Sequence, residues 1–178
     1  MIVNPRRFFV IVGTPHSGKR KTTQQIFGRS RFLPFKGPIK TAALGEEQFV
    51  IILPRRVPPP REYLVYIRKL IQVHRESDTS FFIVLDLLSA AAIHEVQCIL
   101  EYFNGSVFEV HYLILSNSWR DERVLGNEVV TLLQTKITNG TVHVLDRMVT
   151  GSLIRLNNRA GDIVALMSKV LEKKPVCF

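Results

Sequence analysis

Phe8-Phe9-Val10-Ile11-Val12-Gly13-Thr14-Pro15-His16-Ser17-Gly18-Lys19-Arg20 is the stretch that decides the fold. Its first five residues form an unbroken apolar run that is too short for a helix and stops at a glycine. Residues 8–12 therefore read as a strand buried on both faces. Residues 18–28 read as a helix. Between them lies Gly-x-x-x-x-Gly-Lys, running from Gly13 to Lys19. Glycines let a backbone wrap close to an anion, so that successive N–H groups converge on it, and the helix that follows adds the positive end of its dipole. Lys19, expected to be exposed and flexible, would reach the outer oxygens of a bound phosphate chain.

Outward from this point, strand and helix patterns alternate almost to the end of the chain. Pro34, Gly37 and Pro38 break the chain after the first helix, and 39–44 reads as an irregular strand or hairpin arm. Residues 49–53 repeat the buried-strand pattern and stop at Pro54. Pro59 and Pro60 suit a helix start, where a missing N–H costs little, and Tyr63, Leu64, Ile67, Leu70 and Ile71 follow at helical spacing. A third strand over 81–85 ends at Asp86. Ser89 is a plausible N-cap for a helix carrying Ile93, Val96, Ile99, Leu100 and Phe103, with Asn104-Gly105 as its stop. Residues 107–115 form a fourth strand. A helix with Val124, Leu125, Val129, Leu132 and Leu133 comes next, then a fifth strand over 141–145. The last helix buries Ile163, Leu166, Met167, Val170 and Leu171. Each parallel crossover needs a helix. The expectation is thus one α/β domain over residues 1–178: a three-layer sandwich around a mostly parallel five-stranded sheet.

Composition narrows the class. The chain has 178 residues, 46% of them hydrophobic, which is ordinary for a globular protein and unlike a disordered one. No apolar run reaches the length of a membrane span, and the first eight residues lack the apolar stretch of a signal peptide. The two cysteines, Cys98 and Cys177, make neither a disulfide framework nor a metal-ligand spacing. Cys98 sits among Val96, Ile99 and Leu100 and reads as a buried thiol. A reducing cytoplasm fits these features. The net charge of +9 is unevenly spread. Residues 1–75 hold fifteen Lys and Arg against three Glu, a balance of +12, and residues 76–178 hold nine against twelve, a balance of −3. Such asymmetry points to a basic face for a polyanion, whether nucleotide phosphates, nucleic acid or an acidic protein.

With its flanking strand and helix, the 13–20 segment resembles the Walker A loop of the P-loop NTPase superfamily, with Arg20 where Ser or Thr is usual. That resemblance implies ATP or another nucleoside triphosphate, with Mg²⁺, bound by Gly13, Thr14, Pro15, His16, Ser17, Gly18, Lys19, Arg20, Lys21 and Thr22. Lys19 would contact the β- and γ-phosphates. A guanidinium cannot ligate Mg²⁺, so Thr22 or Thr23 is the replacement ligand to consider. Lys19-Arg20-Lys21-Thr22-Thr23-Gln24 looks like the Gly-Lys-Thr-Thr-Gln of thymidylate kinases with two residues inserted. Some nucleotide kinases also lack a hydroxyl after the lysine and hold the metal through water. Asp86, at the end of Phe82-Ile83-Val84-Leu85, takes the place of the superfamily's strand-end acid beside Mg²⁺. Leu87 leaves no adjacent Glu to activate water, which argues against fast hydrolysis. Neither the Asp-x-x-Gly switch nor the Asn-Lys-x-Asp base reader of GTPases is present.

Ligands of open parallel sheets bind beyond the carboxyl ends of the strands. There the chain places the 13–20 loop, Arg55-Arg56, Asp86, Ser116-Asn117-Ser118 with Arg120 and Arg123, and Asp146-Arg147. Asn117 reads either as a polar sensor aimed at a terminal phosphate or, with Ser118, as a helix N-cap. Trp119 either stacks on a base or packs. His16 could donate to a phosphate or simply lie exposed. His74, His94, His111 and His143 show no ligand spacing. Lys19, Asp86 and Asn117 are the catalytic candidates, and Thr22 and Asp86 the metal ligands. The expected function is an ATP-binding protein with slow or partner-stimulated NTPase activity. A non-enzymatic adaptor with a basic face and a small nucleotide or metabolite kinase are the alternatives.

Overall fold

The five buried-strand patterns become the five strands of one sheet. The computed structural model describes residues 6–31, 37–54, 56, 58–75, 77–86, 92–119, 125–145 and 148–172. The strands are β1 (Arg7–Gly13), β2 (Phe49–Ile52), β3 (Ser80–Asp86), β4 (Glu109–Leu115) and β5 (Thr141–Leu145). Their spatial order is β2-β3-β1-β4-β5, and every neighbouring pair is parallel. The sheet expected to be mostly parallel is therefore wholly so.

Alternate residues of each strand go to opposite faces, as the two-residue strand period requires, and each face meets its own helices. Phe8, Val10, Val12, Phe81, Ile83, Leu85, Val110, Tyr112 and Ile114 face α2 (Pro60–Val73), the short α3 (Ala92–Glu95), α4 (Gln97–Asn104) and α5 (Asn127–Lys136). Phe9, Ile11, Phe82, Val84, Leu113 and Leu115 face α1 (Lys19–Phe27) and α6 (Leu153–Glu172). Two dry layers result, and β5, with exposed Thr141 and Val144, is an open edge.

Local differences from the sequence reading have local causes. The 39–44 segment contributes one antiparallel bridge, Ile39 to Phe49, and then a 3-10 turn over Ala42–Leu44. The helix expected to run on from Ser89 is two pieces separated at Val96, and Ser89 itself lies outside the described residues. Cys98 is half-buried against the α4 side of the core, and Cys177 is outside the described residues. No helix among the described residues is long and apolar enough to cross a membrane.

Candidate functional site

The register β1–β3 pairs Gly13 with Asp86, so the end of the first strand and the strand-end acid meet directly, with no strand between them. The chain then turns back through 14–18 into α1. Two residues of this turn are left-handed, His16 at φ 66° and Gly18 at φ 82°. Left-handed residues alternating with ordinary ones curl the backbone so that N–H groups converge, the geometry of an anion-binding nest. Gly18 is required twice over. Its φ disfavours a side chain, and an added Cβ would lie 2.9 Å from Arg159 Nη2 and 3.1 Å from Trp119 Cβ. At Gly13 a Cβ would lie 2.6 Å from Ser17 Oγ.

Three elements hold the loop from outside. The Trp119 N–H donates to the His16 carbonyl at 2.8 Å. Arg159 Nη2, from α6, donates to the Ser17 carbonyl at 2.8 Å. A peptide unit is planar and trans, so holding the Ser17 carbonyl fixes the plane of the Ser17–Gly18 peptide. The Ser17 N–H closes an inner turn onto the Thr14 carbonyl at 3.1 Å.

Lys19 fills the interior of that loop. Its ammonium donates to the carbonyls of Gly13 (2.8 Å) and Thr14 (2.6 Å) and to Ser17 Oγ (3.2 Å), and lies 2.5 Å from Asp86 Oδ1. It is 6% exposed, not the free surface cation the sequence implied. The reason is tertiary: β3 delivers Asp86 against the first turn of α1, and the ammonium curls back onto it. Burial lowers the Lys19 pKa; the Asp86 charge and hydrogen bond oppose that lowering, and the Arg159 charge adds to it.

The other predicted residues separate into those around the cleft and those away from it. Pro15, His16, Gly18, Lys19, Arg20, Lys21, Arg56, Asp86 and Trp119 line a cleft of about 470 Å³, with Leu53, Pro54 and Val84. Arg20 reaches across to the Pro54 carbonyl at 3.0 Å, and the Lys21 ammonium sits over the Trp119 ring, 4.4 Å from its centre. Trp119 thus packs on Gly18 and carries a cation. Thr22 is fully buried, and its hydroxyl accepts from Arg159 Nη2 at 2.8 Å, between α1 and α6. Thr23 Oγ1 donates back to the Lys19 carbonyl at 2.8 Å. Asn117 does not line the cleft; it is buried, with Nδ2 on Ser116 Oγ at 3.1 Å, and the N-cap of α5 is Gly126. Arg55, Leu87, Arg120, Arg123, Asp146 and Arg147 lie outside the described residues.

Does this donor set fit a magnesium ion held by the protein? Mg²⁺ takes oxygen ligands in a strict octahedron and commonly uses one or two carboxylates with phosphates and water. Among the described residues lining the cleft, Asp86 is the one carboxylate, and Lys19 engages it. The hydroxyls of Ser17, Thr22 and Thr23 are bound to Lys19, Arg159 and the Lys19 carbonyl. The fit to a metal held by these side chains is poor. His111 and His143 stack beside Glu109, but no group of three potential metal ligands forms among the described residues.

Arg159 and Tyr63 were not singled out from the sequence. Arg159 has a signal: it interrupts the apolar stripe Leu156, Ala160, Ile163, Met167 of α6, where a charge needs a reason. Tyr63 has none, because its apolar spacing gives no hint of what its hydroxyl does. That hydroxyl reaches the carbonyls of Val84 (2.6 Å) and Ile52 (3.1 Å), tying α2 to the carboxyl ends of β3 and β2.

No protein-family model matches the sequence, and no curated protein matches it. Among solved structures, that of a sugar kinase from Janibacter sp. HTCC2649, in unliganded form, is similar: 13% identity over 93% of this chain and 98% of that one, with a TM-score of 0.44.

Proposed function

We propose that the chain is a P-loop protein that binds a nucleoside triphosphate, ATP in the first instance, through residues 13–20, within a single domain, and turns it over slowly or only with a partner. The observation that carries this is the Gly13–Asp86 pairing with the Lys19 ammonium lying between the loop carbonyls and the acid. Backbone N–H groups at Gly18 and at the start of α1 receive the phosphate chain, since the first N–H groups of a helix have no partner within it. Lys19 is placed to exchange loop carbonyls for phosphate oxygens. Slow turnover is the expectation because Asp86, the one carboxylate among the described residues of the cleft, is engaged by Lys19.

Calorimetric titration of ATP into wild type and Lys19→Met tests the reading. At least tenfold weaker binding in the variant, about 1.4 kcal/mol, is expected. Unchanged affinity in a folded variant overturns it.

One observation favours a second reading, a small-molecule kinase. A further cavity of about 240 Å³, lined by Pro54, Pro59, Tyr63, Val84, Glu95 and Ile99, meets the loop cleft at Asp86. An acceptor hydroxyl seated there would lie next to the phosphate site. Transfer of labelled phosphate from ATP, screened over nucleoside monophosphates and small alcohols, distinguishes this from hydrolysis alone.

A further inference from the structure

Arg159 is the largest fully buried side chain of the described molecule, and it has no acidic partner among the described residues. Its Nη2 serves the Ser17 carbonyl and the Thr22 hydroxyl, while Nε and Nη1 are buried without a hydrogen-bond partner. Burial pushes its pKa down to about 10, which still leaves it charged at neutral pH. An unpaired buried charge is costly, and such groups are ordinarily paired or hydrogen-bonded throughout. This one lies directly behind an anion-binding loop whose single described acid is already taken by Lys19.

The surrounding charges point the same way. Lys19, Arg20, Lys21 and Arg56 line the cleft against Asp86 alone among its described residues, with Arg159 behind them. Residue 20, where a metal-binding hydroxyl was looked for, is itself a cation directed to the Pro54 carbonyl. The hydroxyl of Thr22 accepts from Arg159. Asp86, residue 20 and Thr22 thus each carry or face a positive charge, and the Thr23 hydroxyl is turned onto the Lys19 carbonyl.

We propose that this loop takes a polyphosphate without a protein-held magnesium ion, its charge being balanced by the arginines, with Arg159 as a positioning residue that orients the Ser17–Gly18 peptide and supplies buried positive charge from behind. The proposal rests on the nucleotide-binding reading above. The ligand class is a free, unchelated polyanion: ATP⁴⁻ or inorganic triphosphate in preference to its magnesium complex. Magnesium would compete with the protein for the same phosphate oxygens.

The experiment is calorimetric titration of the full chain with ATP and with inorganic triphosphate, each in EDTA and in excess Mg²⁺. Affinity in EDTA equal to or tighter than in Mg²⁺ is expected. Arg159→Met should weaken binding in EDTA at least tenfold and raise the ratio of EDTA to Mg²⁺ dissociation constants by a similar factor. A purely structural role would lower stability without moving that ratio. Arg159→Lys, which keeps the charge and loses the fork, should fall between. If the Arg159 variants do not fold, Arg20→Thr carries the test: it should introduce a preference for the magnesium complex. Binding by wild type only when Mg²⁺ is present overturns this proposal and leaves nucleotide binding standing. No binding of either polyphosphate under either condition overturns nucleotide binding itself. An unchanged Mg²⁺ ratio in folded Arg159→Met removes Arg159 from the account.

Discussion

Replacing Lys19 with Met asks whether the ion pair beneath the loop serves stability or ligand capture. The ammonium is 6% exposed and the Asp86 carboxylate 18%. The Lys19 pKa is lowered on folding, with burial the largest cause and Asp86 only partly opposing it. A lysine whose pKa falls on folding costs stability while charged, because the folded chain holds the proton less tightly than the unfolded one. That cost is present at neutral pH and relieved as pH rises through the folded-state value toward 10.5. Asp86 therefore does not fully offset the desolvation of the Lys19 ammonium. Lys19→Met alone strands Asp86 and the Gly13 and Thr14 carbonyls. Removing one partner of a buried pair costs about 3–5 kcal/mol, and the residual exposure of Asp86 reduces the expectation to about 2–4 kcal/mol. Asp86→Asn leaves the ammonium its carbonyls and Ser17 Oγ and should cost about 1–3 kcal/mol. The double variant removes both charges, leaves the Gly13 and Thr14 carbonyls as in Lys19→Met, and should be no less stable than Lys19→Met alone, a coupling of about 1 kcal/mol or more. Urea denaturation of the four proteins at pH 7, with equal slopes, measures it. A double variant as unstable as the two single losses added together would refute the reasoning.

Two glycines separate backbone strain from close approach. Gly28→Ala, at φ 60° with nothing within 4 Å of the new Cβ, should cost about 1–2 kcal/mol, whereas Gly18→Ala must also displace Arg159 and Trp119 and should cost about 3 kcal/mol or more. Equal losses in denaturation would contradict the close contact. Tyr63→Phe should cost about 1–2 kcal/mol at pH 7 by removing the hydroxyl bonded to Val84 and Ile52. Burial raises the Tyr63 pKa well above 10, so the phenol's contribution is complete below pH 10 and is lost as pH climbs from there toward the folded-state value. The gap between wild type and Tyr63→Phe should thus narrow by about 1.4 kcal/mol per pH unit above 10, which paired urea melts would show or deny. Arg29 and Arg31 are exposed beyond the far end of α1, away from the loop. If they serve a nucleic acid, fluorescence anisotropy with oligonucleotides should show binding at 50 mM salt that falls by orders of magnitude by about 200 mM. No binding at micromolar protein would leave an acidic protein surface as the partner.

The order of elements was legible in the sequence because strand and helix periods are local. The runs at 8–12, 49–53 and 81–85 are too short and too apolar to be anything but buried strands, and Pro60, Gly28 and Gly105 stand where helices begin or end. The Gly13–Lys19 spacing with its flanks was equally local, so the loop and its residues could be named in advance. The strand order could not, since nothing near residues 13 or 86 records that β3 lies beside β1. Lys19 looked exposed because a lysine at a helix start usually is, and only β3 delivering Asp86 draws it inside. Thr22 was legible as a hydroxyl close to the lysine, but its tie to Arg159 of α6 was not. Arg159 lies 142 residues from Ser17, and its contact exists only because α1 and α6 cover the same face of the sheet. The sequence alone set which backbone forms the glycine-bounded turn between β1 and α1. The packing of α6 and β3 against that backbone, interactions between residues far apart in the chain, decided which charges surround it.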